Sequence, residues 1–213
     1  MTLEYGPGLA VPYFTNDDFD NPLGEFNDLI NFIRQQDYKH HVRIELGRYI
    51  AAPCGRFVSQ IMDVKLRQNV SDTHKDSAKP NQETNYVLID GGINHLNYYG
   101  SNMAMRTPII HHMRDDIKLP CITIEPVYFN IAGSLCTFAD ILARKVPLNN
   151  PQIGDILVFE NAGAYSVTEA SALFLSRDLP EIVIEKSDGE LVVVRQGINS
   201  YSINMNNSEG YVN

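Results

Sequence analysis

The sequence is poor in the features that would commit it to disulfides, metal, a membrane or nucleic acid. Its three cysteines, Cys54, Cys121 and Cys136, are an odd number with no C-x-x-C spacing. That pattern excludes a disulfide framework and a thiolate zinc site, and fits a reducing compartment. Apolar runs are short: Ile156 to Phe159 and Leu191 to Val194 fall far below the roughly 20 residues that cross a bilayer. No signal peptide opens the sequence. Basic residues number 17 against 26 acidic ones, for a net charge of -9, whereas nucleic acid and anionic membranes call for concentrated positive charge. There is no H-E-x-x-H, and the adjacent pairs His40–His41 and His111–His112 would send their rings to opposite faces of a strand. No metal site is expected, and neither a repeat nor a low-complexity segment is present. What remains, with the cytoplasm as its expected address, is a chain of 213 residues, 44% of them hydrophobic. That is enough to bury a core, and the expected partner is a small molecule or another protein.

The first fifty residues differ in pattern from the rest. Leu3 to Tyr5 reads as a short strand, Gly6-Pro7-Gly8 as a turn, and Pro22 to Gln36 as an amphipathic helix. Asn21 suits the cap, Pro22 the first helical position, and Phe26, Leu29, Ile30 and Ile33 form one apolar face. Val42 to Glu45 reads as a second strand, completing a βαβ unit that implies parallel pairing in a larger sheet. From Phe57 onward the pattern becomes β: Phe57 to Leu66, Tyr86 to Ile89, Ile122 to Val127, Asp155 to Phe159, Glu181 to Glu185 and Glu190 to Arg195. Lys186-Ser187-Asp188-Gly189 is a hairpin signal, and Gln68 to Asn85 reads as a loop. Thr137 with Asp140, and Ser166 with Glu169, carry the spacing of helix caps and predict two short helices.

Several residues suit chemistry. Gly6-Pro7-Gly8 lets backbone approach a ligand closely, although Pro7 removes one donor. In Glu45-Leu46-Gly47-Arg48 a carboxylate and a guanidinium at a strand end either face one site or form a local ion pair. Cys136, placed before a predicted helix, is a candidate acid-base group or a small hydrophobe. Tyr165, among the small residues of Asn161 to Ala164, is a ligand contact or a core tyrosine. Asp90-Gly91-Gly92 follows an apolar run as a strand-end turn.

The order of these segments resembles one family over nearly the whole chain: the fold type III, alanine-racemase-like decarboxylases that act on diaminopimelate, ornithine, lysine or arginine. Gly6-Pro7-Gly8 is similar to its glycine-rich phosphate loop, and Glu45-Leu46-Gly47-Arg48 to its Glu-Pro-Gly-Arg. Ile89-Asp90-Gly91-Gly92-Ile93-Asn94 is similar to the stretch entering its β-domain, and Gly133-Ser134-Leu135-Cys136 to its cysteine segment. Gly154-Asp155, Asn161 to Tyr165 and Leu173 to Arg177 complete the series. The resemblance implies an α+β chain. Residues 1–55 would be the last two βα units of a (β/α)8 barrel carrying pyridoxal 5'-phosphate, and 56–213 a mainly antiparallel β-barrel or sandwich. Phosphate sites of such barrels often follow the last two strands. It also implies that Glu45 pairs with the pyridine nitrogen, that Gly6, Gly8, Gly47, Arg48 and Tyr165 hold the phosphate, and that Asp90 and Tyr98 contact the amino-acid substrate. Cys136 would reach into the site of a second subunit, in a head-to-tail dimer, to return a proton.

Three departures from the family bear on its chemistry. The lysine that carries the cofactor precedes the segment present here, and none of Lys39, Lys65, Lys75, Lys79, Lys118, Lys145 or Lys186 lies in a matching motif. The expected partner is therefore an N-terminal decarboxylase half or chain, because two βα units cannot close a barrel. Tyr98 stands where diaminopimelate enzymes usually have an arginine, and Thr137 where the family has glutamate after cysteine. A non-catalytic subunit that dimerises with a full-length enzyme is the rival expectation, and a racemase the weaker one.

Overall fold

The computed structural model describes residues 2–19, 21–36, 39–67, 85–98, 104–121 and 125–205. The βαβ unit forms as the pattern predicts. Strand β1 (Thr2–Tyr5) and strand β2 (His41–Ile44) run parallel, with Thr2 opposite His41 and Tyr5 opposite Ile44. Helix α1 (Pro22–Gln35) joins them, and the Asn21 side chain accepts from the Gly24 N–H at 2.8 Å, satisfying a donor the first helical turn leaves free. A short helix α2 (Gly47–Ala51) follows β2 and runs into a 3-10 turn at Ala52–Cys54.

The β half is one seven-stranded sheet. Its strands are β3 (Phe57–Lys65), β4 (Asn85–Ile89), β5 (Ile110–Arg114), β6 (Ile117–Lys118), β7 (Tyr128–Ala132), β8 (Ile141–Pro147) and β9 (Ile156–Phe159), in the order β6-β5-β9-β3-β4-β7-β8. All pairings are antiparallel except β4 with β7. Strand β3 serves two neighbours: Phe57 to Gln60 pairs with β9 and Ile61 to Lys65 with β4, with a register shift between Ile61 and Asp63 in the β4 pairing. A bulge of this kind bends the strand and increases the local twist. The sheet curls far enough for the segment before β5 to return against β8, with Ala104 N–H donating to the Leu142 carbonyl at 3.4 Å and Thr107 Oγ1 to the Arg144 carbonyl at 3.4 Å. The hydrogen-bonded order nevertheless starts at β6 and ends at β8, so the sheet is a curled, open one. A separate antiparallel ribbon, β10 (Ile182–Glu185) with β11 (Leu191–Arg195), turns at the predicted Asp188-Gly189, where Gly189 takes a positive φ of 85°.

Two expectations are corrected. No helix opens at Thr137 or Ser166: both segments are turns, and Ile141 and Leu142 begin β8 instead. The cap-like spacing is real, since Thr137 Oγ1 accepts from Ala139 N–H at 3.3 Å. Asp140, however, is drawn inward to other partners, and the chain turns rather than winding on. Of the strand expected over 122–127, residues 122–124 lie outside the described residues, and regular pairing begins only at Tyr128. The loop expected over 68–85 lies outside them except for Asn85, which opens β4.

The core gathers Ile61, Val87, Ile89, Phe129, Ile131, Leu142, Leu157 and Phe159 from the sheet, together with Val11, Tyr13 and Phe14 from the link between β1 and α1. That link is held by Ile109 N–H to the Tyr13 carbonyl (3.3 Å) and Thr15 N–H to the Thr107 carbonyl (2.9 Å). Among the described residues, no helix is long and apolar enough to cross a membrane.

Candidate functional site

Parallel pairing brings the C-terminal ends of β1 and β2 side by side, which sets Gly6 next to Glu45. The ladder continues one step through Glu45 N–H to the Tyr5 carbonyl at 3.0 Å, and a Cβ on Gly6 would meet the Glu45 carbonyl at 3.9 Å. Gly8, at φ 65°, has open space around its α-carbon. Glu45 is exposed at the strand end. From there the chain enters α2, whose first residues are Gly47 and Arg48.

The sheet domain supplies the other wall. The 162–165 loop is fastened beneath α2 by Gly163 N–H to the Ala52 carbonyl (3.0 Å) and Ala162 N–H to the Gly55 carbonyl (2.8 Å). Gly163 sits so close that a Cβ there would lie 2.1 Å from the Ala51 carbonyl. This fastening carries Tyr165 to α2. Its hydroxyl lies 2.8 Å from where a Cβ on Gly47 would stand, and the Arg48 guanidinium lies over its ring at 4.8 Å. Arg48 also pairs with Glu169 at 3.3 Å. Sequence reasoning missed Glu169 as that partner: it read this residue as part of a helix cap. Tyr165, at φ 62°, is half exposed. Gly6, Glu45, Gly47, Arg48 and Tyr165 thus share one end of the molecule, offering a cation, a hydroxyl, open backbone and a carboxylate.

Cys136 and Asp90 belong to a second group. Cys136 is exposed on a turn between β7 and β8. No helix follows it, so the position before a helix expected for this cysteine is not found. Its loop is tied to the 90–93 turn by Ser134 N–H to the Gly91 carbonyl at 2.8 Å. Asp90 is committed to the fold: its Oδ1 accepts from Ser59 Oγ at 2.5 Å and from Gln60 N–H at 2.9 Å. It lines a groove of roughly 1020 Å³ between β3 and the β10–β11 ribbon, which none of Gly6, Glu45, Arg48, Cys136 or Tyr165 lines. The two groups meet through the 93–97 segment, where Asn97 N–H donates to the Ser166 carbonyl at 3.0 Å and Ser171 N–H to the Ile93 carbonyl at 3.2 Å.

Tyr98 is in neither group. It is buried at 1% exposure, its ring packs on Tyr13 (5.3 Å) and Phe14 (6.2 Å), and its hydroxyl donates to the Glu160 carbonyl. Burial first, then the nearby charge of Glu160, pushes the phenol far above its ordinary range. The expected substrate contact at this position is therefore corrected to a core contact.

The histidine pair on β5 does diverge, His111 toward Glu160 (3.1 Å) and buried His112 toward Asp155 (2.7 Å). Asp155 also accepts from Arg114 at 2.7 and 2.8 Å and from Gln152 N–H at 2.8 Å. Burial pushes its carboxyl up, but the Arg114, Gln152 and His112 hydrogen bonds outweigh that and pull it down to about 2.

Comparison with known proteins gives one consistent result. Residues 48–163 match the family described as pyridoxal-dependent decarboxylase, C-terminal sheet domain. A diaminopimelate decarboxylase of Buchnera aphidicola subsp. Baizongia pistaciae is 32% identical over 90% of this chain and 44% of its own length. A Staphylococcus aureus 2-[(L-alanin-3-ylcarbamoyl)methyl]-2-hydroxybutanedioate decarboxylase is 26% identical over 85% of this chain and 42% of its own. Among solved structures, a diaminopimelate decarboxylase from M. jannaschii superposes with a TM-score of 0.71 at 21% identity, over 95% of this chain and 42% of that one. The chain spans less than half the length of these relatives.

Proposed function

We propose that this chain, which belongs to the pyridoxal-dependent decarboxylase family through its C-terminal sheet domain, is the C-terminal half of an amino-acid α-decarboxylase acting on a basic or diamino-type substrate. An N-terminal half, on the same or a separate chain, supplies the lysine that carries the cofactor. Residues 1–55 are the last two βα units of its barrel, and 56–213 the β-domain.

The observation that supports this reading is the stacking of Arg48 on Tyr165, with Gly47 under the hydroxyl and the exposed Glu45 alongside. This donor set fits pyridoxal phosphate. Arg48, the Tyr165 hydroxyl and the accessible backbone of Gly6, Gly8 and Gly47 suit a phosphate dianion, and Glu45 suits a protonated ring nitrogen. When bound, the cofactor draws electrons from the carbon that loses carbon dioxide. The residues of this chain orient it: Glu45 holds the ring proton in place, and Arg48 keeps the phosphate end fixed. Cys136, exposed on its turn, returns a proton to that carbon in the site of a second subunit, in a head-to-tail dimer. With Tyr98 in the core and Thr137 after Cys136, the substrate's far end meets neither of the charged groups usual at these positions. Turnover assays across diaminopimelate, ornithine, lysine, arginine and a carrier-bound amino acid discriminate the candidates.

The primary test is visible absorbance after adding pyridoxal phosphate to this chain alone and then with the N-terminal half. The expected outcome is a cofactor band only in the second case, with a borohydride-trapped adduct on a lysine of the added half. An adduct on a lysine of this chain would falsify the assignment. Loss of the band on Arg48→Ala, with the sheet still folded by circular dichroism, supports the residue roles.

A further inference from the structure

Asp140 is 2% exposed, yet it is the residue on which two separate loops converge. Its Oδ2 accepts from the Leu135 N–H at 2.7 Å and its Oδ1 from the Ile93 N–H at 2.9 Å, while its carbonyl accepts from the Gly133 N–H at 3.0 Å. The carboxylate is packed against two α-carbons: a Cβ would stand 2.3 Å from it at Gly133 and 2.7 Å from it at Gly92. Glycine is what lets both loops close on the same group. The Cys136 loop therefore has an inner side, Leu135 and Asp140, that is buried and bonded, and an outer side, Cys136 and the fully exposed Phe138, that faces solvent. On its far flank Arg177 braces the loop through Nη2 to the Ser134 carbonyl at 2.6 Å.

We infer that Asp140 is a positioning residue, a clasp that fixes the loop bearing Cys136 against the 90–94 turn so that the thiol is held at a set place rather than on a free loop. Its use in catalysis rests on the reading of Cys136 as the proton donor given above. Burial pushes the Asp140 carboxyl up even though both amides favour its charge, so the fold tolerates an unfavourable environment to keep this group where two loops need it. A single buried acceptor serving two N–H groups has no substitute, because each amide left unmatched costs about 1–3 kcal/mol.

The test uses Asp140→Asn in the full 213-residue chain, which keeps size and one acceptor oxygen but turns an NH2 toward the other amide. Two quantities are read: the iodoacetamide alkylation rate of Cys136 relative to Cys54 by peptide mass spectrometry, and amide exchange at Ile93 and Leu135. The expected result is a Cys136/Cys54 ratio changed about threefold or more, with exchange rising about tenfold at whichever of Ile93 and Leu135 faces the new NH2 and Val87 and Ile131 in the sheet unaffected. An unchanged ratio overturns the inference, and so does an equal rise at Cys54, Cys121 and Cys136, which would make Asp140 a general fold residue. Should the variant not fold, the unsubstituted chain decides. Ile93 and Leu135 amides protected to the same degree support the clasp, and exchange at free-loop rates overturns it. Because neither readout involves turnover, failure here is separable from failure of the decarboxylase reading.

Discussion

The βαβ unit and the seven-stranded sheet both carry apolar side chains, but only the strands of the sheet bury theirs fully. Every residue of β1 is exposed, Leu3 and Tyr5 by more than 40%, and the predicted stripe of α1, Phe26, Leu29, Ile30 and Ile33, is partly but nowhere fully buried. In the sheet, Ile61, Val87, Ile131 and Leu157 are fully buried. The contrast shows that periodicity reports which face wants covering, while burial needs a second layer. A two-stranded parallel pair with one helix provides none on its own.

The largest test of the contrast is a matched truncation. Phe129→Ala, in the sheet core, should cost about 3–5 kcal/mol in urea unfolding, whereas Leu29→Ala in α1 should cost less than about 1 kcal/mol in the chain alone. Equal costs would erase the difference between the two regions. Next in size is Asp155→Ala, which leaves Arg114 and His112 facing an empty buried position and should cost about 3 kcal/mol. The same carboxyl gives the sheet an acid limit. Its folded value of about 2 lies below the ordinary 3.8, so its contribution is complete above pH 3.8 and is lost as pH falls through about 2. Asp155→Asn should flatten the stability profile across that window.

A smaller effect sharpens the comparison. Once the N-terminal half is supplied, Leu29→Ala should rise to about 2 kcal/mol, because the helix face is then covered; an unchanged cost would count against the barrel assignment. At the seam between the regions, Gly47→Ala thrusts a methyl against the Tyr165 hydroxyl and should weaken pyridoxal phosphate binding to the paired halves about tenfold by fluorescence titration. Smallest is Arg43→Ala, which breaks the exposed pair with Glu4 at 2.5 Å and should shift stability by less than about 0.5 kcal/mol.

Much of the fold was legible. Asn21 and Pro22 mark the start of α1, and Asp188-Gly189 marks the ribbon turn, because these signals act within a few residues. The failures share a cause. Thr137 and Asp140 have cap spacing, but the Asp140 carboxylate finds better donors in Ile93, 47 residues away, and Leu135. Strands β5 and β7 escaped notice because His111, His112 and Asn130 interrupt their apolar pattern with polar residues whose partners lie at the two ends of β9 and on β8. In the candidate site, Gly6, Glu45, Gly47, Arg48 and Tyr165 were singled out by motif, and their roles toward a cofactor stand as proposed. Glu169 as the partner of Arg48 and Asp140 as the clasp were not.

The sequence by itself determined the βαβ unit, most of the strands, the ribbon turn and the candidate residues, since local backbone preference and hydrophobic period are written over short stretches. Only the tertiary structure decided that Tyr98 enters the core and that Tyr165 meets Arg48 across 117 positions. It likewise decided that Asp140 joins two loops rather than opening a helix. Those outcomes depend on which distant donors, acceptors and rings the curled sheet brings within reach, and a buried polar group goes to the partners that best replace water, however far away they stand in the chain.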